Sequence, residues 1–296
     1  TDLRRRQSPG MVALIHLLVP AAIVVVVLFG GGLVFGFLQA LGYFFTVRGE
    51  PVGFTFFGHV LSDPDFFRSL GITLYIALTS TALASALSVL AALGLHQWGQ
   101  RSRIVHFIFQ IPLTVPHLVI AVAVIFMFTP AGFLARVAMR LGWISSSSQF
   151  PLLVNDRWGF GIMLAYIWKE IPFITLMLLS VLQSTGSDLL DVGKTLRAGP
   201  WQRFRYITLP MLLPSLGAAS LIVFAYTFGA FEVPYLLGRT YPMMLPVWAY
   251  KNYSDVDLMS RPEGIATAMI IAMVVIAAIL VSQWLLRVAR RRGVVI

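Results

Sequence analysis

The sequence predicts an all-α membrane protein with six spanning helices, on three observations. Only 11% of its residues are charged and 58% are hydrophobic, with a mean hydropathy of +0.84, so water is not its main solvent. Residues 11–47, 69–95, 104–135, 206–231 and 264–286 contain no Asp, Glu, Lys or Arg, and 158–183 is interrupted only by Lys169 and Glu170; each run is long enough to cross a hydrocarbon core of about 30 Å as a helix. Finally, a chain in lipid must satisfy its backbone hydrogen bonds internally, so runs of this length are helices rather than strands.

The elements follow in order. A single transmembrane domain is expected over 1–296, with spans at 12–42, 69–95, 106–128, 158–183, 211–237 and 264–286 and a polar loop at 187–210 between spans four and five. The first run follows Arg4, Arg5 and Arg6 as a signal peptide would, but it is too long and lacks a small-residue cleavage site, so it is read as a permanent anchor. With both termini cytoplasmic, the inner segments hold Arg4, Arg5, Arg6, Arg101, Arg103, Lys194, Arg197, Arg203, Arg205, Arg287, Arg290, Arg291 and Arg292, while fewer bases, over longer connections, fall outside. That bias sets the orientation. Arg136 and Arg140 fit it least well and are placed in a short interfacial helix, FLARVAMRLGWI, on the outer side.

The net charge of +10 is assigned to topology and to anionic headgroups rather than to nucleic acid. The chain has no cysteine, which excludes disulfides and thiolate chemistry. His16, His106 and His117 lie in or near apolar spans without metal-ligand spacing, so no metal site is expected. No GxSxG or Ser/His/Asp arrangement suggests an intramembrane hydrolase. The acids of the outer connections, Asp63, Asp65, Asp255 and Asp257, could favour a basic partner or a cation, with solvated loop charges as the default reading.

One stretch is out of keeping with the rest. DVGKTLRAGPWQRFRYITLP, residues 191–210, places Asp191, Lys194, Arg197, Arg203 and Arg205 between two apolar spans. It reads as helix, break, helix. Ser187 suits an N-cap, Gly199-Pro200 ends the first helix and opens the second, and Trp201, Phe204 and Ile207 form an aromatic and apolar face. Leu209-Pro210 and Pro214 mark the return into the bilayer. A basic loop lying flat on the inner leaflet is one reading. The density of breaks favours another, a compact knob that docks into a cleft on a cytoplasmic partner.

This stretch resembles the EAA loop of the inner-membrane permease subunits of binding-protein-dependent ABC importers, patterned as Glu-Ala-Ala, three residues, Gly, nine residues, Ile, one residue, Leu-Pro. Here Asp191-Val192-Gly193 stands for Glu-Ala-Ala, Arg197 falls where Gly is usual, and Ile207-x-Leu209-Pro210 matches in full. Gly199, two positions after Arg197, is expected to take over the bend. IPLTVPHLVIAVAV (111–124), with its prolines four apart, is similar to the third-helix segment of these permeases, and YIWKEIPFITLMLLSVLQS (166–184) to the helix leading into the loop. FGAFEVPYLLG (228–238) and YPMMLPVWAYKNYSD (241–255) are similar to the fifth helix and following loop of the spermidine/putrescine, ferric iron, thiamine and phosphonate group.

The resemblance implies an inner-membrane permease subunit of a bacterial ABC importer. It would pair with a second permease, the same chain or a similar one, over two ATP-binding-cassette subunits, and take solute from an extracytoplasmic binding protein. Asp191, Val192, Gly193, Arg197, Gly199, Pro200, Trp201, Arg203, Ile207, Leu209 and Pro210 would form the coupling loop. The chain lacks GxxxxGK[ST], so it binds no cofactor itself, and ATP and Mg would sit on the partner ATPases. The solute implied is small and polar, with a leaning toward polyamine-like organic cations.

Charged groups at membrane depth are costly and mark function by default. Lys169, Glu170 and Glu232 are such groups. One reading pairs Lys169 with Glu232 structurally. The other turns Glu170 or Glu232 to the path, with Tyr166, Tyr226 and Tyr235 offering aromatic faces to a cation. Pro172 and Pro234 follow the charges and are each expected to free a backbone carbonyl, either kinking the helix for packing or lining a cavity. The same charges also allow a different class of protein, an ion-coupled secondary transporter using Glu170, Glu232 and Lys169.

Overall fold

The computed structural model describes residues 11–43, 52–98 and 103–291; Arg4, Arg5, Arg6, Arg48, Arg101 and Arg292 lie outside these, as do the side chains of 185–194 and hence those of Asp191, Val192 and Lys194. Among the described residues all regular structure is helical. Six stretches are long and apolar enough to cross a membrane: Leu18–Ala40, Pro64–Gln97, His117–Arg140, Phe160–Ser184, Pro200–Gly229 and Leu258–Leu285.

The chain divides into two compact units, Thr1–Ser62 with Ala249–Met269, and Asp63–Trp248 with Ile270–Ile296. The first unit holds α1 (Met11–Val24), a π-helical turn (Val25–Gly30), α2 (Gly31–Ala40) and α3 (Thr55–Ser62). Valines 24–27, Leu28 and Phe29 are all more than half exposed, as a surface solvated by lipid requires. Within this unit Gly264 lets its helix approach the Ala249 carbonyl and Tyr253 so closely that a Cβ would collide with both.

The second unit is built on α4 (Pro64–Trp98), α8 (Phe160–Thr195) and α10 (Leu209–Gly229). Between α4 and α8 lie α5 (Arg103–Thr114), α6 (His117–Phe128) and α7 (Phe133–Arg140). The four-residue α9 (Pro200–Arg203) and a π-helical turn (Phe204–Thr208) lead into α10, which is followed by α11 (Glu232–Leu237). Then come α12 (Leu245–Tyr253) and α13 (Arg261–Arg291), each of which passes from one unit to the other.

Lipid gives helices little hydrophobic reason to associate, so close packing and interhelical hydrogen bonds must hold them. Ala77, Ala84 and Ala92 are fully buried on α4, small enough to let α8 approach. The Ser88 hydroxyl donates to the Ile171 carbonyl at 3.0 Å and Thr175 Oγ1 returns a bond to the Ser88 carbonyl at 3.4 Å. Around this seam Leu178, Leu182, Leu212 and Val223 form one core, and Tyr166, Ile120, Ile162, Val233 and Leu237 form another, so α8 runs through both.

The helix ends follow the chemistry of the sequence. Asp63 accepts the Asp65 N–H at 2.8 Å and Pro64 opens α4. The Asp156 carboxylate accepts from the Trp158 and Phe160 N–H groups at 2.9 and 2.8 Å at the head of α8, where the helix dipole also favours an anion. These loop acids are therefore not merely solvated charges: Asp65 also accepts from Arg68 and from the Tyr241 hydroxyl, at 2.9 and 2.6 Å, and Asp255 and Asp257 close local turns onto the 257 and 259 N–H groups. The FLARVAMR segment forms α7, with Ala135 and Ala138 buried and the Arg136 guanidinium donating to the Ala131 carbonyl.

Several boundaries differ from expectation. The 106–128 span is two helices, α5 and α6, broken at Val115-Pro116. The 211–237 span is also two, α10 and α11, broken at Ala230-Phe231. No helix begins at Ser187: α8 passes through this position without a break and runs 36 residues. Pro172 is absorbed inside α8, and Pro234 sits in the first turn of α11, where its missing N–H has no intrahelical partner to lose. It therefore frees no carbonyl. The helical path is continuous from Pro200 through Pro210, with the π-helical turn just before Pro210 giving its ring room.

Candidate functional site

Two broken helices and α8 meet at the upper core. His117 is the first residue of α6, directly after the Pro116 break. Its Nε2 lies 3.4 Å from Glu170 Oε1 on α8, with both side chains largely buried, at 19% and 10% exposure. The Tyr226 ring of α10 lies over the imidazole at 4.7 Å between centroids, and the Tyr166 ring lies 6.4 Å from it. Tyr166 and Glu170 share a face of α8 because they are four residues apart. Glu232, exposed at the start of α11, and Glu170 both lie within electrostatic reach of the Tyr166 and Tyr226 hydroxyls.

Lys169 does something else. Its ammonium donates to the carbonyls of Pro112 and Leu113, at 2.9 and 3.1 Å, and to that of Val115. These are the orphan carbonyls at the end of α5, and Pro116, lacking an N–H, is the residue that would otherwise have taken up Pro112. A cation at a helix C-terminus is also favoured by the dipole. Lys169 is 7% exposed. The expected pairing with Glu232 is therefore corrected: the ammonium is spent on backbone, because three carbonyls converge where a lone carboxylate was expected.

The other expected path residues differ in exposure. Tyr226 and Tyr235 are 42% and 55% exposed, and Tyr235 stacks on Phe231 at 5.0 Å. Tyr166 is fully buried, with no hydrogen-bond partner for its hydroxyl among the described residues. It packs behind His117 and offers no open face, which corrects its expected place along the path. His117 was missed because only metal-ligand spacing was sought among the histidines. The available signal was its position immediately after Pro116, where a helix restarts.

At the other end of α8 the chain turns at Arg197, whose φ of +56° is left-handed. Gly199 has an ordinary φ of −64° and serves as N-cap of α9, its N–H accepted by Gln202 Oε1 at 2.9 Å and Pro200 following at N1. The bend is therefore at Arg197 itself, and the expectation that Gly199 replaces it is corrected. The position usually held by Gly still needs the conformation that Gly favours. Trp201 is 71% exposed and lies 5.5 Å from the Phe204 ring. Phe204 packs onto the lower core, Ile207 is half-buried, and the Arg203 Nε is buried without a partner among the described residues.

A family model described as the binding-protein-dependent transport system inner membrane component matches residues 84–293. The chain belongs to that family. The probable ABC transporter permease protein y4oQ of Sinorhizobium fredii is 25% identical over 302 residues, covering 94% of this chain and 92% of that protein. The trehalose/maltose transport system permease protein MalF of Thermococcus litoralis is 26% identical over 231 residues, covering 76% of this chain and 78% of its own. In fold, the chain is similar to a bacterial ABC transporter involved in import of the acidic polysaccharide alginate, with a TM-score of 0.76 at 20% identity over 93% of this chain and 94% of that one.

The chain is thus a membrane permease component of an ABC importer, without a catalytic function, the ATPase being a separate subunit. An ion-coupled secondary transporter is not favoured. These permeases point to the family as a whole rather than to its polyamine subgroup.

Proposed function

We propose that this permease couples a separate ATPase, docked on the 191–210 loop at the cytoplasmic face, to a solute path that passes Glu170, Glu232, His117 and Tyr226. Both termini lie on the cytoplasmic side, a second permease completes the path, and an extracytoplasmic binding protein loads it. One observation carries this reading: α8 is a single helix from the Glu170 cluster to the turn at Arg197. From Glu170 to Thr195 it spans about 37 Å at 1.5 Å per residue. A rod of that kind transmits displacement at the loop to the site without absorbing it in a hinge.

The solute is a small organic cation of polyamine type on this reading. Glu232 is exposed beside half-exposed Tyr226 and Tyr235, and Lys169 is tied to carbonyls, so the exposed groups of the cluster are negative and aromatic. A hydroxyl-rich solute is the second reading, supported by relatives named for trehalose/maltose and for diacetylchitobiose. Uptake by cells carrying Glu232→Gln separates them. A cation path loses affinity, with half-saturation rising on the order of tenfold for one lost charge contact. A carbohydrate path is little changed. If uptake of both solute classes is unchanged in Glu232→Gln and in Glu170→Gln, neither acid lines the path.

A further inference from the structure

The face of α8 that carries Glu170 is polar again further along the helix, beyond Phe173 and Met177, which pack on the core around Leu178. In helical steps from Tyr166, residues Glu170, Phe173, Met177, Ser180 and Ser184 fall on one side. Exposure rises along that line, from buried Tyr166 and Glu170 through half-buried Phe173 and Met177 to exposed Ser180 and Ser184. On α5, His106 and Gln110 stand one turn apart, toward the end opposite the break that carries His117. With Gln183, Ser180 and Ser184 they line an open groove of about 520 Å³, floored by leucine.

Each polar group in this groove is a hydrogen-bonding side chain, and none is an acid, a lysine or an arginine. Two amides, an imidazole and the Ser180 hydroxyl turned to lipid would leave donors and acceptors without partners at a cost that membrane helices avoid, whereas the Ser184 hydroxyl already donates to the Val181 carbonyl at 3.2 Å. The groove therefore faces water or solute. Its size suits a ligand up to a disaccharide, since small-molecule sites run to roughly 300–1,000 Å³. Without a fixed charge it has no means to trap what it binds, and a conducting path needs sites that release.

Resting on the path proposed above, we infer that the groove is a second solute station. It receives a hydroxyl- or amine-bearing solute from the Glu170 cluster, holds it by hydrogen bonds to Gln110, Gln183 and Ser180, and releases it on the side of the 191–210 loop. The outer cluster selects by charge and aromatic contact. The inner groove passes the solute on.

The chain has no native cysteine, so single cysteines report cleanly on the assembled importer. Inside-out vesicles carrying Gln110→Cys, Ser180→Cys or Ile108→Cys are treated with a cationic, membrane-impermeant methanethiosulfonate, with and without ATP and vanadate. Ile108 is 58% exposed and apolar and serves as the lipid-facing control. The groove cysteines are expected to react on the order of tenfold faster than the control, because the thiolate forms in water and not in lipid, and to be slowed when ATP and vanadate close the inner side. Reaction no faster than the control, or unchanged by ATP and vanadate, overturns the station. Tyr226→Cys, treated from the outer side, separates the two failures. If it reacts while the groove cysteines do not, the groove inference alone falls; if none reacts, the path through this chain falls with it.

Discussion

The Lys169 ammonium donates to the Pro112 carbonyl at 2.9 Å, and this bond, with those to Leu113 and Val115, binds α8 to the end of α5 just before the chain restarts at His117. The broken helix is held open by a buried cation rather than by a carboxylate partner. Breaking one side of such an arrangement leaves polar groups buried without partners, at about 1–3 kcal/mol each. Lys169→Met is expected to lower the stability of the purified protein by about 3 kcal/mol, read as a drop in thermal midpoint in detergent, with Lys169→Arg losing less. An unchanged midpoint in Lys169→Met would show that the carbonyls find partners without it.

Arg197 holds a left-handed conformation that costs a non-glycine residue about 1–2 kcal/mol, while glycine costs about 0.5–1 kcal/mol in chain entropy. Arg197→Gly is therefore expected to raise stability by up to about 1 kcal/mol. Gly199→Ala, at an ordinary φ but at an N-cap where glycine outranks alanine, is expected to cost about 0.5–1 kcal/mol. If Arg197→Gly lowered stability instead, the left-handed turn would not lie at Arg197. Thermal unfolding of both variants decides it.

The buried Tyr166 hydroxyl has no hydrogen-bond partner among the described residues. Removing such a group relieves a desolvation cost of about 1–3 kcal/mol, so Tyr166→Phe is expected to be neutral or stabilising, and to leave uptake intact because the ring still packs on His117. A large loss of uptake with normal protein level would show that the hydroxyl takes part in transport.

His117 and Glu170 meet at 3.4 Å inside the membrane unit. A double-mutant cycle of His117→Ala and Glu170→Gln on thermal stability is expected to give a coupling of about 1 kcal/mol. Additive effects would mean that the two side chains share a neighbourhood without sharing an interaction.

The six long apolar runs, the helical character of the described residues and the break at 199–200 could be read directly, because lipid forces hydrophobic length and helical hydrogen bonding onto the sequence. What could not be read was governed by backbone groups and by tertiary choice. Pro112 and Pro116 announce a kink, yet nothing in their spacing says that a lysine more than fifty positions away will bind the carbonyls they expose. A pairing of Lys169 with Glu232 follows naturally when only side chains are counted, since carbonyls are invisible in a sequence. Gly199 seemed the natural left-handed residue by type. The continuation of α8 to Thr195 moved that conformation onto Arg197, and Pro200 then needed an extended N-cap. His117 was visible only as a histidine beside a proline, and its meeting with Glu170 depends on how α6 packs against α8.

The central claim is that α8 and the turn at Arg197 connect this permease to a separate ATPase, and gentle purification from native membranes with mass spectrometry of what accompanies the chain tests it most directly. The account predicts a P-loop ATPase in stoichiometric amount, lost when residues 196–206 are replaced by a Gly-Ser stretch while the transmembrane helices stay folded. A chain that emerges without any ATPase, and still moves solute in vesicles lacking ATP, would contradict it.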